Sequence, residues 1–196
     1  MTFTVLTACA GAPATPESPS YFLSVQDGRA GLVDGRPVVR DAADTLAIVE
    51  LAAGRLRIAQ QIAMPTSLVG PPSSVAIAPG GRLALVSAAT RRDPADATKV
   101  APFDLVSVLA LDPVGNTPPR VVASLHTGAG ASGISINRAG TLALVANRVE
   151  GSVSVLAIDG EQVQAVGKVT LGATSGPAHV AFTPDGRRAL VSRDGD

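Results

Sequence analysis

Apolar residues fall at every second position in Val180 and Phe182, and again in Ala189 and Val191, on either side of Pro184-Asp185-Gly186. Period-two alternation marks strands whose side chains point to opposite faces, and the glycine supplies the positive φ that a tight turn needs. The segment 176–195 (GPAHVAFTPDGRRALVSRDG) therefore reads as a two-strand hairpin. The same pattern occurs at 71–90 (PPSSVAIAPGGRLALVSAAT) and at 130–149 (GASGISINRAGTLALVANRV), with Gly81, Gly140 and Gly186 in register. A hairpin sequence that recurs is an architectural signal, and it implies a chain built from repeats.

The intervening stretches complete the unit. Tyr21–Val25 aligns with Leu83–Ser87 and reads as a strand. A polar stretch, Gln26–Asp44, follows, then the strand Thr45–Leu51, a turn at Ala52-Ala53-Gly54 and the strand Leu56–Ala63. After the second hairpin come a polar insertion (Thr90–Asp104), the strand Leu105–Leu111, a Gly- and Pro-bearing turn (Asp112–Pro119) and the strand Arg120–Leu125. The third copy has tighter loops: strand Ser152–Ile158, turn Asp159-Gly160, strand Val163–Leu171. Each unit is thus four sequential antiparallel strands, labelled A to D, with unit periods of 59 and 46 residues (71 to 130, 130 to 176). No amphipathic helix is evident. The expected fold is all-β, a partial β-propeller of four-stranded antiparallel meander blades, about three blades plus a terminal hairpin. A β-sandwich also has many short strands, but it does not explain a hairpin repeated with its glycine in register. The expected blades are about 21–70, 71–129, 130–175 and the incomplete 176–196.

Composition narrows the picture. Apolar residues make up 46% of the chain and charged residues 16%, enough for a folded core; with 3% aromatics and no Trp, that core must be Val, Ile, Leu and Ala. Sixteen basic residues balance sixteen acidic ones, which argues against a nucleic-acid partner. The single cysteine, Cys9, has no intrachain disulfide partner. Its context, Leu6-Thr7-Ala8-Cys9, resembles a bacterial lipobox, and the small, Pro-rich residues that follow suit a flexible tether, giving 1–20 as a signal-like segment and tether. A normal signal carries a basic region and an apolar stretch of about 7–15 residues, whereas eight residues without Lys or Arg precede Cys9. The expectation of an exported, lipid-anchored protein of the periplasm or outer cell envelope therefore assumes a start upstream. The alternative is a cytoplasmic protein with one inert thiol. Membrane contact is expected only through that anchor.

The repeat resembles the YVTN-type β-propeller family, in which a V-A-x-x-P-D-G-R turn leads to a strand ending Tyr-Val-Thr-Asn and then a V-S-V-I-D strand. The counterparts here are Val180–Arg187, Leu144-Val145-Ala146-Asn147 and Val153–Asp159, while Leu85, Leu144 and Leu190 stand where the repeat has its tyrosine. The likeness runs from Tyr21 to the end and implies a propeller that closes with about seven blades, its terminal strand completing the first. Here the expected units hold three, four, four and two strands. An open stack leaves raw faces and unpaired strand edges that invite self-association. Two accounts stay open: the N-terminal part of a longer protein, or a dimer in which one chain's last hairpin completes the other's first blade.

Meander topology places the D-to-A and B-to-C connections on one side of the ring. Both long insertions are B-to-C loops, with seven charged residues in the first and six in the second, among them Arg36, Arg40, Arg91 and Arg92. This face is the candidate surface for a protein or small-molecule ligand; the plainer account is that charge keeps long loops solvated. His179 opens the last A strand on the same face, where the other copies have Ser74 and Gly133. Gly176-Pro177-Ala178-His179 is similar to the Gly-Pro-Arg-His segment of lactonase-type propellers, with Ala178 in place of the arginine. The resemblance implies a catalytic role for His179 with Asp194, near where that branch has a glutamate, and an anion-binding role for Arg193. A histidine and a carboxylate can activate water against a lactone; a lone histidine on a strand edge is otherwise structural or solvated. His126 carries no partner signal. Two His and one Cys at these spacings make no zinc site, and the glycines are turn residues, so neither metal nor cofactor is expected. Asn147 and Asp159 read as strand-end and turn residues that satisfy local backbone groups. Two functions follow: a non-enzymatic binding module, or a lactonase-like hydrolase.

Overall fold

A computed structural model describes residues 19–40, 42–68, 74–112, 115 and 117–195. Cys9 with the tether, Asp41, the start of the second hairpin (71–73) and Asp196 lie outside the described residues. Strand β1 (Ser20–Gln26) is followed by the short β2 (Ala30–Val33) and β3 (Arg36–Val39), then by β4 (Thr45–Ala52) and β5 (Arg55–Ala63). The next group is β6 (Val75–Ile77), β7 (Leu83–Arg92), β8 (Val100–Ala110) and β9 (Arg120–His126). The third is β10 (Ala131–Ile136), β11 (Leu142–Asn147), β12 (Ser152–Asp159) and β13 (Gln162–Thr170), and β14 (Pro177–Phe182) with β15 (Ala189–Arg193) closes the series. The sheets are β1-β4-β5, β6-β7-β8-β9, β10-β11-β12-β13 and β14-β15, each antiparallel and in chain order, with β2-β3 a separate ribbon. Three, four, four and two strands are what the repeat predicts.

The three A-to-B turns share one bonding pattern. The N–H groups of Gly81, Gly140 and Gly186 donate to the carbonyls of Ala78, Asn137 and Thr183, and those three residues in turn donate to Leu83, Arg188's counterpart Leu142, and Arg188 itself. The φ values of the three glycines are +71°, +72° and +68°, a region that L side chains enter only at a cost.

Both faces of β7 are buried, and the alternation assigns each face to a different neighbour. Leu83 and Leu85 join Val106, Val108, Ile134, Val145 and Leu156 in a core between the second and third blades. Ala84 and Val86 join Leu46, Ile48, Leu109 and Leu111 in a core between the first and second. Stacking blades face to face is how each sheet covers surface it cannot bury alone.

Two expectations need correction, both in the insertions. Gln26–Asp44 is more than a polar loop: β2 and β3 form a ribbon around Asp34-Gly35, whose φ values of +50° and +74° are those of a two-residue hairpin turn. Thr90–Asp104 is largely strand as well. The β7–β8 ladder continues past a register shift at Ala88/Thr90, pairing Thr90 with Pro102 and Arg92 with Val100, because the ladder needs backbone groups rather than apolar side chains. Only 93–99 is a loop, tied by Asp93 N–H to the Lys99 carbonyl at 3.0 Å. Its Asp96 carboxylate accepts from the Thr98 hydroxyl and then from Lys99, which holds its pKa below the ordinary range.

Candidate functional site

Residues proposed for chemistry fall into two groups on the loop side. The first surrounds the head of β14. Gly133 in β10 has no Cβ, and this lets β14 lie directly against it: a methyl group there would stand 2.5 Å from His179 Cα and 2.6 Å from Nδ1. His179 is exposed on that bare patch, and its N–H is held by the Ser192 hydroxyl at 3.0 Å. Asp194 lies one residue beyond β15, its N–H donating to the Gly176 carbonyl at 3.2 Å. Its carboxylate forms an ion pair with Arg148, the residue just after β11. Arg193 Nε donates to the Ser175 carbonyl at 3.4 Å. Among the described residues, no hydrogen bond joins the His179 ring to a carboxylate. The structure therefore brings His179, Arg193 and Asp194 to one rim, with Asp194 engaged by an arginine that the sequence reading did not name.

Behind this rim sits a buried polar network. Asn147 is fully buried and donates from Nδ2 to the hydroxyls of Ser152 and Ser154, both at 2.9 Å, so it serves the neighbouring strand's side chains rather than local backbone as expected. Its Oδ1 has no partner. Ser152 donates to Glu150, and Lys168 pairs with Glu150 at 2.6 Å; the Lys168 hydrogen bond is the main reason the Glu150 carboxyl sits below its ordinary pKa. His126 also has a partner, contrary to the sequence reading: Nδ1 is 2.9 Å from Asp104 Oδ1. The register that pairs Leu105 with His126 carries Asp104 beside the ring.

The second group lies between the first two blades. A cleft of about 430 Å³ is lined by Arg29, Arg91, Arg92, Asp44 and Phe103, with Met64 and Leu68 among its apolar walls. Arg91 and Arg92 reach it because β7 extends into the insertion. Arg36 and Arg40 do not line it: Arg36 begins β3 near the tip of the β2–β3 ribbon, and Arg40 folds its guanidinium over Gly31. Asp44 is buried and organises the floor, accepting the N–H groups of Gly28 and Thr66, both at 3.2 Å. Asp44 and Phe103 were not singled out from the sequence, and Arg29 stood out there only as one of the charged insertion residues. Their only signal there was membership of the charged insertions, since convergence depends on how one blade stacks on the next.

No protein-family model matches the sequence, and no curated protein matches it. Solved structures do. One is a functionally unknown protein from Desulfotomaculum acetoxidans (TM-score 0.56, 19% identity, 75% of this chain and 41% of that one). Another is a candidate 6-phosphogluconolactonase from Bacteroides uniformis (TM-score 0.56, 17% identity, 86% and 48%). A third is the periplasmic gluconolactonase of Pseudomonas aeruginosa (TM-score 0.53, 20% identity, 76% and 42%). The chain spans less than half the length of each. At such identities the likeness speaks for the fold. With the repeated four-stranded meanders, it shows that this chain folds as part of a β-propeller whose ring its described strands leave open.

Proposed function

We propose that this chain belongs to a lactonase-like propeller, a hydrolase of a sugar or other lactone, with His179 as the general base. The observation that carries this reading is the placement of His179, exposed at the head of an innermost strand on the loop rim, next to the Arg148–Asp194 pair. In its neutral form the imidazole takes a proton from water as the water oxygen adds to the lactone carbonyl; the ring C–O bond then breaks and the departing oxygen regains a proton. Arg193 and Arg148 supply positive charge for the oxyanion. The names of the Bacteroides and Pseudomonas neighbours support the same chemistry, and because the chain spans under half of each, the activity is assigned to the closed ring. With δ-gluconolactone and its 6-phosphate as substrates, His179→Ala should lower kcat by about a hundredfold, within the usual range for a positioned base. Hydrolysis unchanged by the substitution would reject the assignment.

A second reading, a binding module without catalysis, is favoured by the engagement of Asp194 with Arg148, which leaves the His179 ring without a carboxylate partner among the described residues. Under both readings the protein is exported and lipid-anchored at Cys9, a proposal in keeping with the periplasmic location named for the Pseudomonas neighbour. Cell fractionation checks it: the wild type should partition with membranes and Cys9→Ser should be released, and equal partitioning would refute the anchor.

A further inference from the structure

We infer that the cleft between the first and second blades is a binding site for a small phosphate monoester, separate from the rim around His179. The chain as a whole is neutral, yet three arginines, Arg29, Arg91 and Arg92, are among the residues lining this one cleft, against a single acidic residue. That carboxylate is already committed. Asp44 accepts two backbone N–H groups, and Arg29 Nε is 3.9 Å from Oδ1, too far for a hydrogen bond. The Arg29 side chain remains 49% exposed, so its donors are open to a ligand. Among the described residues, no carboxylate pairs with Arg91 or Arg92.

Arg91 is pre-positioned: its Cζ lies 4.7 Å from the Phe103 ring centroid. A cation–π contact of this kind restrains the side chain while its N–H groups remain available to an oxyanion. A carboxylate offers two oxygens and is satisfied by one arginine fork, whereas a phosphate monoester offers three oxygens and nearly two charges, which suits a cleft lined by three arginines. The volume, about 430 Å³, lies in the range of small-molecule sites. Met64, Leu68 and Phe103 give the carbon part of the ester an apolar wall. A polyanion fits poorly, because Asp93, Asp96 and Asp104 lie in the same insertion as Arg91 and Arg92.

Titration calorimetry of the full chain at low salt tests the inference with phenyl phosphate, inorganic phosphate and benzoate. Phenyl phosphate should bind most tightly, with a dissociation constant below about 1 mM. Arg91→Gln and Arg92→Gln should each weaken it by about tenfold or more, the loss expected for a charge-assisted hydrogen bond. Both side chains are at the surface, and a circular dichroism melt matching the wild type would establish that each variant is folded. His179→Ala should leave the affinity unchanged, so this result stands or falls independently of the lactonase reading. No heat at about 10 mM phenyl phosphate, benzoate binding as tightly as the phosphate, or affinity indifferent to both arginine substitutions would each overturn it.

Discussion

Gly133→Ala should detach the terminal hairpin from the third blade. The glycine's φ is not in the left-handed region, so the effect is steric rather than conformational. An added methyl would sit 2.5 Å from His179 Cα and 2.7 Å from the Ala178 carbonyl oxygen, both backbone atoms that no rotamer change can move. Alanine restricts the unfolded chain and so favours folding by about 0.4–1 kcal/mol. Overpacking against fixed backbone costs about 1–3 kcal/mol or more, and it prevails. Hydrogen exchange at Val180 and Ala181 reads the outcome, since these amides belong to β14 while the second-blade core is remote from the clash. Selective loss of protection in β14 and β15 is expected. Unchanged protection there would show that β14 is not held by this close approach.

Leu85→Ala should give the largest global loss. Leu85 has no exposed surface and packs between the second and third blades with Val106, Val108, Val145 and Leu156. Truncation removes the transfer free energy and leaves a cavity in a core that strands on both sides hold open; the cost is about 2–5 kcal/mol. In urea unfolding the midpoint should fall with the slope retained. Leu190→Ala provides the contrast. It occupies the equivalent place in the last copy but is 72% exposed, and it should change stability by no more than about 0.5 kcal/mol. Equal losses in the two variants would contradict the stacking described here.

This pair also shows what the sequence could and could not convey. Leu85, Leu144 and Leu190 stand at the same step of three hairpin copies, and the alternation that places them on a strand is visible in the residues. Their burial is not: fully buried, half-buried and exposed in turn, it depends on whether another blade lies against that face. Strand order and the glycine turns were legible because they arise from local periodicity and backbone conformation. The β2–β3 ribbon carried a readable signal, an Asp-Gly pair between β-prone residues, hidden by the charge around it. The arginine cleft and the Arg148–Asp194 pair were not legible, because each joins residues from different blades. His179 could be placed on the loop rim from topology alone; its seat on the bare backbone of Gly133 required coordinates.

The shared turn at Gly81, Gly140 and Gly186 has a consequence for how such a chain acquires new chemistry. Hairpin register is set on that rim, in each copy by a glycine conformation and two backbone hydrogen bonds that do not involve the opposite rim. The opposite rim can therefore lengthen, as it does by a whole ribbon between β1 and β4 and by an extended ladder between β7 and β8, where the register shift at Ala88/Thr90 leaves the pairing of 83–88 with 105–110 intact. Strand pairing is specified at one end of these strands, so the connections at the other end can change in length and composition while the first continues to direct folding.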